Sequence, residues 1–191
     1  NIGKRGGGVN ALRGQNNVQG ACDMGALPVV FTAYQKVIDP AAHKKFEDGW
    51  AFPDGIAAAE NGYEVTTMMD VLTDNPGELK AMYIMGENPF LSDPDIHHVE
   101  HAFENLEFLV VQDIFLTETA FHADVVLPAS AWPEKDGTVT NTNRQVQRGR
   151  KAVELPGEAR QDWWITTEIA RGLGLDWTYA GPDEVFAEMA Q

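Results

Sequence analysis

Residues 79–89 have the sequence LKAMYIMGENP, in which a short apolar run ends at a cluster of Gly, Glu, Asn and Pro. An apolar run of this length bounded by turn residues is typical of a buried strand. Two more runs follow the same rule, since Phe108–Val111 stops at Gln112-Asp113 and Val125–Leu127 stops at Pro128. Helix-forming segments separate the three runs. The sequence therefore predicts an α/β fold with a doubly wound, mostly parallel sheet and flanking helices, similar to a Rossmann fold.

The other predicted elements surround this core. Residues 1–38 are rich in Gly and Asn and are predicted to be an irregular segment, so that residues 39–191 form the α/β domain. An N-cap aspartate followed by proline starts the first predicted helix. The predicted helices are Asp39-Pro40 through Trp50, Thr66 through Leu72, Asp93-Pro94 through Phe103, Leu116 through Phe121, Asp162 through Leu173, and Pro182 through Met189; residues 54–62 and 134–144 are predicted loops.

Polar residues stand at the end of each predicted strand. They form three clusters: Gly86 to Pro89, Gln112-Asp113 with Thr117, and Pro128 to Ser130. In parallel sheets the ligand sits beyond the carboxyl ends of the strands, and helix N-termini there favour anions. The three clusters are therefore predicted to line a binding crevice. The alternative is that they are ordinary strand-to-helix turns.

A polar run lies outside the predicted sheet, from Arg13 to Pro28, with the sequence RGQNNVQGACDMGALP. It lacks the periodic apolar content of a core helix or strand. Its glycines allow close backbone approach, and its amides supply donors and acceptors. The single arginine, Arg13, offers a fixed fork of donors that fits a carboxylate or a phosphate. The run is predicted to form one wall of a site for a small carboxylate.

Charge and cysteine content exclude several classes. The net charge of −15, from 29 acidic and 14 basic residues, argues against binding to a nucleic-acid backbone. Basic residues concentrate at Lys4 to Arg13 and at Arg144 to Lys151, which are either solvated surface or two local spots for a bound anion. One cysteine excludes an internal disulfide, and no apolar run has membrane-spanning length.

The run from Arg13 to Pro28 resembles the matching segment of molybdenum- or tungsten-dependent formate dehydrogenases, in the molybdopterin oxidoreductase family. The resemblance continues at Ile84–Pro89, Val111–Ala120, Ala123–Pro128 and Glu134–Gln147, in the expected order. It implies a fragment that covers the third, cofactor-binding domain of a catalytic alpha subunit. Residues 1–38 would then lie near the active site.

The resemblance also implies site residues. Arg13 falls on the family's active-site arginine, which would orient formate, and Gln15 lies close to it. One guanylate half of a bis-molybdopterin guanine dinucleotide (bis-MGD) would be bound by the residues at the strand ends. These implied contacts are Gly86, Glu87, Asn88, Gln112, Asp113, Thr117 and Asp124.

Several family features are absent from the sequence. The metal ligand, a Cys or selenocysteine followed by His, and the cysteine-rich iron–sulfur segments are not in these 191 residues, and the C-terminal barrel domain is missing. Molybdenum or tungsten and the clusters would therefore be held elsewhere in the full subunit, and the fragment alone is predicted to be inactive. The sequence Thr142-Asn143-Arg144-Gln145 resembles NAD-linked, cytoplasmic members, and other subunits of a formate dehydrogenase complex are expected as partners.

Other interpretations are weighed against this one. His97 and His101 match a reversed zinc-peptidase pattern, H-x-x-E-H, but a solvated helix face is the preferred interpretation. Cys22 is interpreted as a small buried residue, and the Trp163-Trp164 pair as core or interface. For the whole chain, the alternatives are a non-catalytic binding module with the dinucleotide fold, or a molybdopterin oxidoreductase with another substrate.

Overall fold

The computed structural model describes residues 1–9 and 11–190. Its strands, in chain order, are β1 (Val30–Phe31), β2 (Gln35–Lys36), β3 (Ala81–Met85), β4 (Phe108–Asp113), β5 (Val125–Pro128), β6 (Gly137–Thr140) and β7 (Val146–Gly149). Its α-helices are α1 (Val18–Asp23), α2 (Pro40–Gly49), α3 (Val65–Asp74), α4 (Pro89–Ser92), α5 (Ile96–Glu104), α6 (Asp162–Gly172) and α7 (Pro182–Met189). No helix among the described residues is long and apolar enough to cross a membrane.

The chain forms two compact units. The first joins Asn1–Glu64 to Thr138–Arg148, and the second joins Val65–Gly137 to the residues from Gly149 onward. The structural boundary thus lies at residue 64 rather than at residue 38, and a later segment returns to the first unit. The functional division between residues 1–38 and 39–191 stays a prediction.

The first unit contains short elements and an aromatic cluster. Strands β1 and β2 pair in antiparallel fashion, and Asp39 caps α2 by accepting a hydrogen bond from the Ala41 amide. The rings of Phe31 and Phe46 lie 4.7 Å apart, and those of Phe46 and Trp50 lie 4.9 Å apart. Aromatic pairs at such distances add stability beyond the area that they bury. Residues 1–38 therefore hold a helix and a strand pair, and are less irregular than predicted.

The second unit contains the parallel sheet that the sequence predicts. Its strand order is β3-β4-β5, and Ile84, Val111 and Val126 are register neighbours across the three strands. Helices α3 and α5 pack against one face, where Leu72, Val99 and Val111 are fully buried. Burial of such side chains contributes about 1.5–3 kcal/mol each. The predicted α/β class with a parallel sheet and flanking helices is confirmed.

Three local predictions differ from the structure. Helix α5 begins at Ile96 rather than at Asp93, because Asp95 is the N-cap and accepts a hydrogen bond from the His98 amide. The predicted loop at residues 134–144 contains β6, which joins β7 in a two-stranded sheet. Strand β4 also extends to Asp113, so Gln112 lies inside the strand and is fully buried.

Candidate functional site

The arginine of the polar run lies on an exposed loop just before α1. Arg13 and Gln15 are both exposed, and Arg13 makes no ion pair with any residue that the structure describes. The loop ends at Asn17, the residue that precedes α1, which has a left-handed backbone with φ of 62°. The guanidinium of Arg13 therefore keeps its donors free for an anion.

The loops after β3 and β4 are joined through Asn88. The Asn88 amide donates to a carboxylate oxygen of Glu118 at 2.8 Å, and its oxygen accepts from the Thr119 hydroxyl at 2.7 Å. The Thr119 hydroxyl in turn accepts from the Phe90 amide. The hydrogen bond from Asn88 lowers the pKa of Glu118 below its ordinary value. Asn88 therefore ties the two loops into one rigid edge.

The remaining predicted residues of these loops make local contacts. Gly86 has a φ of +67° and its amide donates to the Gln112 carbonyl. A carboxylate oxygen of Asp113 accepts from the Phe115 amide at 3.0 Å, and the Thr117 hydroxyl accepts from the Ala120 amide at 3.2 Å. Glu87 is exposed and accepts from the Ser92 hydroxyl. The structure thus brings six of the seven predicted cofactor residues to the carboxyl edge of the sheet.

Asp124 is the exception. It precedes β5, and its carboxylate accepts a hydrogen bond from the Leu109 amide at 2.7 Å, at the start of β4. The amino and carboxyl ends of parallel strands lie at opposite edges of a sheet. The structure does not bring Asp124 to the carboxyl-edge crevice, because its carboxylate binds the backbone at the amino edge, as a cap at the start of a strand does. Its role as a cofactor contact stays a prediction.

A second polar cluster occupies the carboxyl edge around Gln112. The Tyr83 hydroxyl donates to the Gln112 side-chain oxygen, and the Gln112 amide donates to a carboxylate oxygen of Asp162 at 2.7 Å. The other Asp162 oxygen pairs with the Lys135 ammonium. Burial of the phenol, with the Asp162 charge as a second cause, raises the pKa of Tyr83 above its ordinary value.

An unsatisfied hydroxyl stands in the same cluster. Lys135 donates to the Ser130 carbonyl at 3.3 Å, whereas the buried Ser130 hydroxyl has no hydrogen-bond partner among the described residues. A buried polar group without a partner carries a free-energy cost, which a ligand or an ordered water removes. The cluster therefore presents a cation, a carboxylate with spare lone pairs and an unpaired hydroxyl.

Sequence reasoning missed Lys135 and Asp162. The sequence places Lys135 in a predicted loop and Asp162 at the start of a predicted helix. Neither residue follows a predicted strand end, and the two lie 27 positions apart in the sequence. For Lys135, the one sequence signal that points to the site is its position within Glu134–Gln147, a stretch that resembles the family.

The alternative zinc site finds no support. Among residues 1–9 and 11–190 no group of three or more His, Cys, Asp or Glu side chains could hold a metal ion. His97 and His101 are largely exposed on α5, each near a glutamate three residues later. The two histidines lie on a solvated helix face, which agrees with the preferred interpretation of the sequence.

Comparison with known proteins defines the class. The model of the molybdopterin oxidoreductase family matches residues 1–172, and the chain belongs to that family. Within it, the chain is 54% identical over 191 residues to the F420-dependent formate dehydrogenase subunit alpha of Methanocaldococcus jannaschii, covering 99% of this chain and 27% of that protein. It is 44% identical over 189 residues to formate dehydrogenase H of Escherichia coli, covering 99% of this chain and 26% of that protein.

A solved structure supports the fold assignment. Acetylene hydratase from Pelobacter acetylenicus superimposes with a TM-score of 0.51 and 25% sequence identity, over 58% of this chain and 16% of that one. The chain spans about a quarter of the length of the formate dehydrogenase subunits that it resembles.

Proposed function

We propose that this chain is part of the catalytic subunit of a molybdopterin formate dehydrogenase, which oxidises formate to carbon dioxide. The relatives named above support the proposal, since they are formate dehydrogenases aligned over 99% of this chain. The observation that carries the assignment of a substrate site is the exposed, unpaired guanidinium of Arg13. The 191 residues alone are inactive under this proposal, because the metal ligand belongs to another part of the subunit.

Arg13 would orient the substrate. A planar guanidinium binds both oxygens of a carboxylate at once, and this bidentate contact fixes the direction of the C–H bond. Fixing that direction reduces the entropic barrier to transfer of a hydride, or of a proton and two electrons. Gln15, two residues away on the same exposed loop, would donate a further hydrogen bond to the substrate.

The carboxyl edge of the sheet would hold one guanine dinucleotide of a bis-MGD cofactor, which supplies the redox-active metal centre. Asp162 has lone pairs left after its bonds to Gln112 and Lys135, and a carboxylate suits the N–H donors of a guanine edge. Lys135 suits a phosphate, and the unpaired Ser130 hydroxyl suits either a phosphate or a ribose oxygen. Gly86, Glu87, Asn88, Asp113 and Thr117 would complete this edge.

The side chain of Gln112 has a different role in this proposal. Both its oxygen and its nitrogen are occupied, by Tyr83 and by Asp162, and the residue is fully buried. It would hold Asp162 in place rather than contact the cofactor. Asp124 is left out of the site for the reason given above.

The descriptions of the relatives support a proposal for the electron acceptor. The alpha subunits that share 54% and 52% identity with this chain are described as F420-dependent. We therefore favour F420 over the NAD suggested by Thr142-Asn143-Arg144-Gln145. Iron–sulfur clusters elsewhere in the subunit and further subunits of the complex would carry the electrons, in the cytoplasm.

Substitution of Arg13 tests the substrate assignment. In the complete enzyme, Arg13→Lys is expected to lower kcat/KM for formate at least about a hundredfold, because the loss of a bidentate charged contact costs roughly 3 kcal/mol. Molybdopterin content, measured by its fluorescent oxidation products, should stay normal. Normal turnover of formate by Arg13→Lys would contradict the substrate-orienting role of Arg13, whereas no turnover of formate by the unaltered complete enzyme would favour a molybdopterin oxidoreductase with another substrate.

A further inference from the structure

Five non-glycine residues of the first unit have a positive φ, and three of them meet at α1. The φ angles of Asn17, Tyr34 and Arg144 are 62°, 60° and 64°. Such conformations cost about 1–3 kcal/mol each and persist only where surrounding contacts impose them. Several such conformations in one place are a basis for a hypothesis of function.

Contacts among side chains show what imposes these conformations. The Asn17 side-chain oxygen accepts from the Thr140 amide of β6 at 2.9 Å. The Gln19 amide, which is 5% exposed, donates to Asp23 at 2.8 Å and to the Tyr34 hydroxyl at 3.1 Å. Arg144 lies 3.7 Å from the same Asp23 oxygen, with its guanidinium 5.4 Å from the centre of the Tyr34 ring.

These six residues form what we call the α1 clamp: Asn17, Gln19, Asp23, Tyr34, Thr140 and Arg144. Gly20 completes it, because a Cβ atom there would lie 2.2 Å from the Asn17 oxygen and 3.1 Å from the Thr140 hydroxyl. The clamp thus joins α1, the β1–β2 turn and the loop between β6 and β7, which are far apart in sequence.

The α1 clamp ends at Asn17, which directly follows the exposed loop that carries Arg13. Residues 13–16 have no regular structure of their own, and Asn17 is the first residue after them that is fixed by a distant element. We infer that Arg144, acting through Asp23 and Tyr34, is a positioning residue that holds α1 and thereby orients Arg13 toward its substrate. This inference rests on the proposed role of Arg13 in binding formate.

The kinetic signature of positioning differs from that of direct contact. Loosening the clamp would leave only a fraction of the molecules with Arg13 in place. The apparent affinity for formate is then the intrinsic affinity multiplied by that fraction. Saturating formate selects the competent molecules, so kcat changes little. A competent fraction of about one tenth would raise KM for formate about tenfold.

Arg144→Asn in the complete enzyme tests the inference, because asparagine tolerates a left-handed φ while the guanidinium is removed. We expect a rise in KM for formate of about tenfold with kcat within a factor of about two. Arg144→Lys, which keeps the charge near Asp23 but loses the planar face over Tyr34, should restore part of the affinity. Arg171→Gln, which removes an exposed cation from α6, serves as the control and should leave KM unchanged.

Combination with Arg13→Lys separates positioning from other effects. If Arg144 acts through Arg13, Arg144→Asn should not raise KM further in the Arg13→Lys background. Amide hydrogen exchange of residues 13–19, measured without formate, should also increase in Arg144→Asn. Additive effects on KM, or unchanged exchange, would overturn the inference while leaving the role of Arg13 intact. An unchanged KM and kcat in Arg13→Lys alone would overturn the role of Arg13 and this inference together, whereas no formate oxidation by the unaltered complete enzyme would overturn the proposed function.

Discussion

The side-chain oxygen of Asn88 accepts a hydrogen bond from the hydroxyl of Thr119 at 2.7 Å, and so links the loops that follow two neighbouring strands. Thr119 is fully buried, and its amide points to the same oxygen at 3.3 Å. Asn88→Ala would leave these donors without their acceptor. We expect the free energy of unfolding to fall by about 1–3 kcal/mol, the cost of an unsatisfied buried group.

Thermal or urea unfolding would measure this change. Asn61→Ala, at an exposed position of the first unit, is the matched control and should have little effect. A loss of molybdopterin content in Asn88→Ala with unchanged stability would instead make Asn88 a direct cofactor contact and not a structural one.

Asp124 gives a second prediction, which separates stability from cofactor binding. Asp124→Ala removes the acceptor for the Leu109 amide at the amino edge of the sheet. The free energy of unfolding should fall by about 1–3 kcal/mol, because a charge-assisted hydrogen bond is lost. Molybdopterin content per folded subunit should not change. A specific loss of cofactor from a stable variant would return Asp124 to the binding site.

Asp162 is expected to behave in the opposite way. Asp162→Asn keeps the shape of the side chain but removes the charge that pairs with Lys135. If this carboxylate receives the donors of a guanine edge, molybdopterin content should fall severalfold while the subunit remains folded. Asp176→Asn, at an exposed position beyond α6, provides the control. Equal cofactor content in the two variants would argue against Asp162 as a contact.

Gly20→Ala tests the close packing at α1. The added methyl group would meet the Asn17 oxygen at 2.2 Å, so the bond between Asn17 and the Thr140 amide must break or α1 must shift. Overpacking of this kind costs about 1–3 kcal/mol. Gly172→Ala is the matched control, since a methyl group there has no atom within 4 Å. We expect this change in α6 to be neutral or slightly stabilising by unfolding measurements.

The environment of Glu47 leads us to expect that the stability of the first unit depends on pH. Its carboxylate accepts hydrogen bonds from the backbone of the loop at residues 55–57, and these bonds lower its pKa below the ordinary value of 4.5. A group whose pKa is depressed on folding stabilises the fold above its unfolded pKa, and this contribution is lost as the pH falls through the folded pKa. Stability should therefore decline on acidification below about pH 4.5.

Glu47→Gln would flatten that decline, because the amide does not titrate. The measurement is the free energy of unfolding as a function of pH, and Glu60→Gln at an exposed position is the control. An equally steep acid decline in Glu47→Gln would assign the titration to other carboxylates.

The sheet could be predicted from the sequence because its signals are local. Each strand is an apolar run that ends at turn residues, as at Met85 and Gly86, and such runs fix both the element and the edge at which its loop emerges. The α2 helix was predictable for the same reason, since Asp39 and Pro40 carry a start signal within two residues. The family resemblance also rested on continuous strings, and the match over residues 1–172 confirmed it.

The site could be predicted only in part, because its contacts join distant residues. Asp162 meets Gln112 across 50 positions, and no pattern in either segment indicates the other. The position of Asp124 before the strand that starts at Val125 fits both a strand-start cap and a cofactor contact, and only the hydrogen bond from the Leu109 amide shows the first of these. The roles of Arg13 and Gln15 stay predictions until they are tested.

The hydrogen bond between Asn17 and Thr140 spans 123 positions, and it has a consequence for synthesis on the ribosome. Chains fold from the N-terminus as they emerge, and β3, β4 and β5 are complete before Thr140 is added. The side-chain oxygen of Asn17 therefore cannot form this hydrogen bond until the three strands of the sheet have been synthesised. The loop that carries Arg13 is thus made before this sheet, and the segment that fixes its end at Asn17 is made only after it.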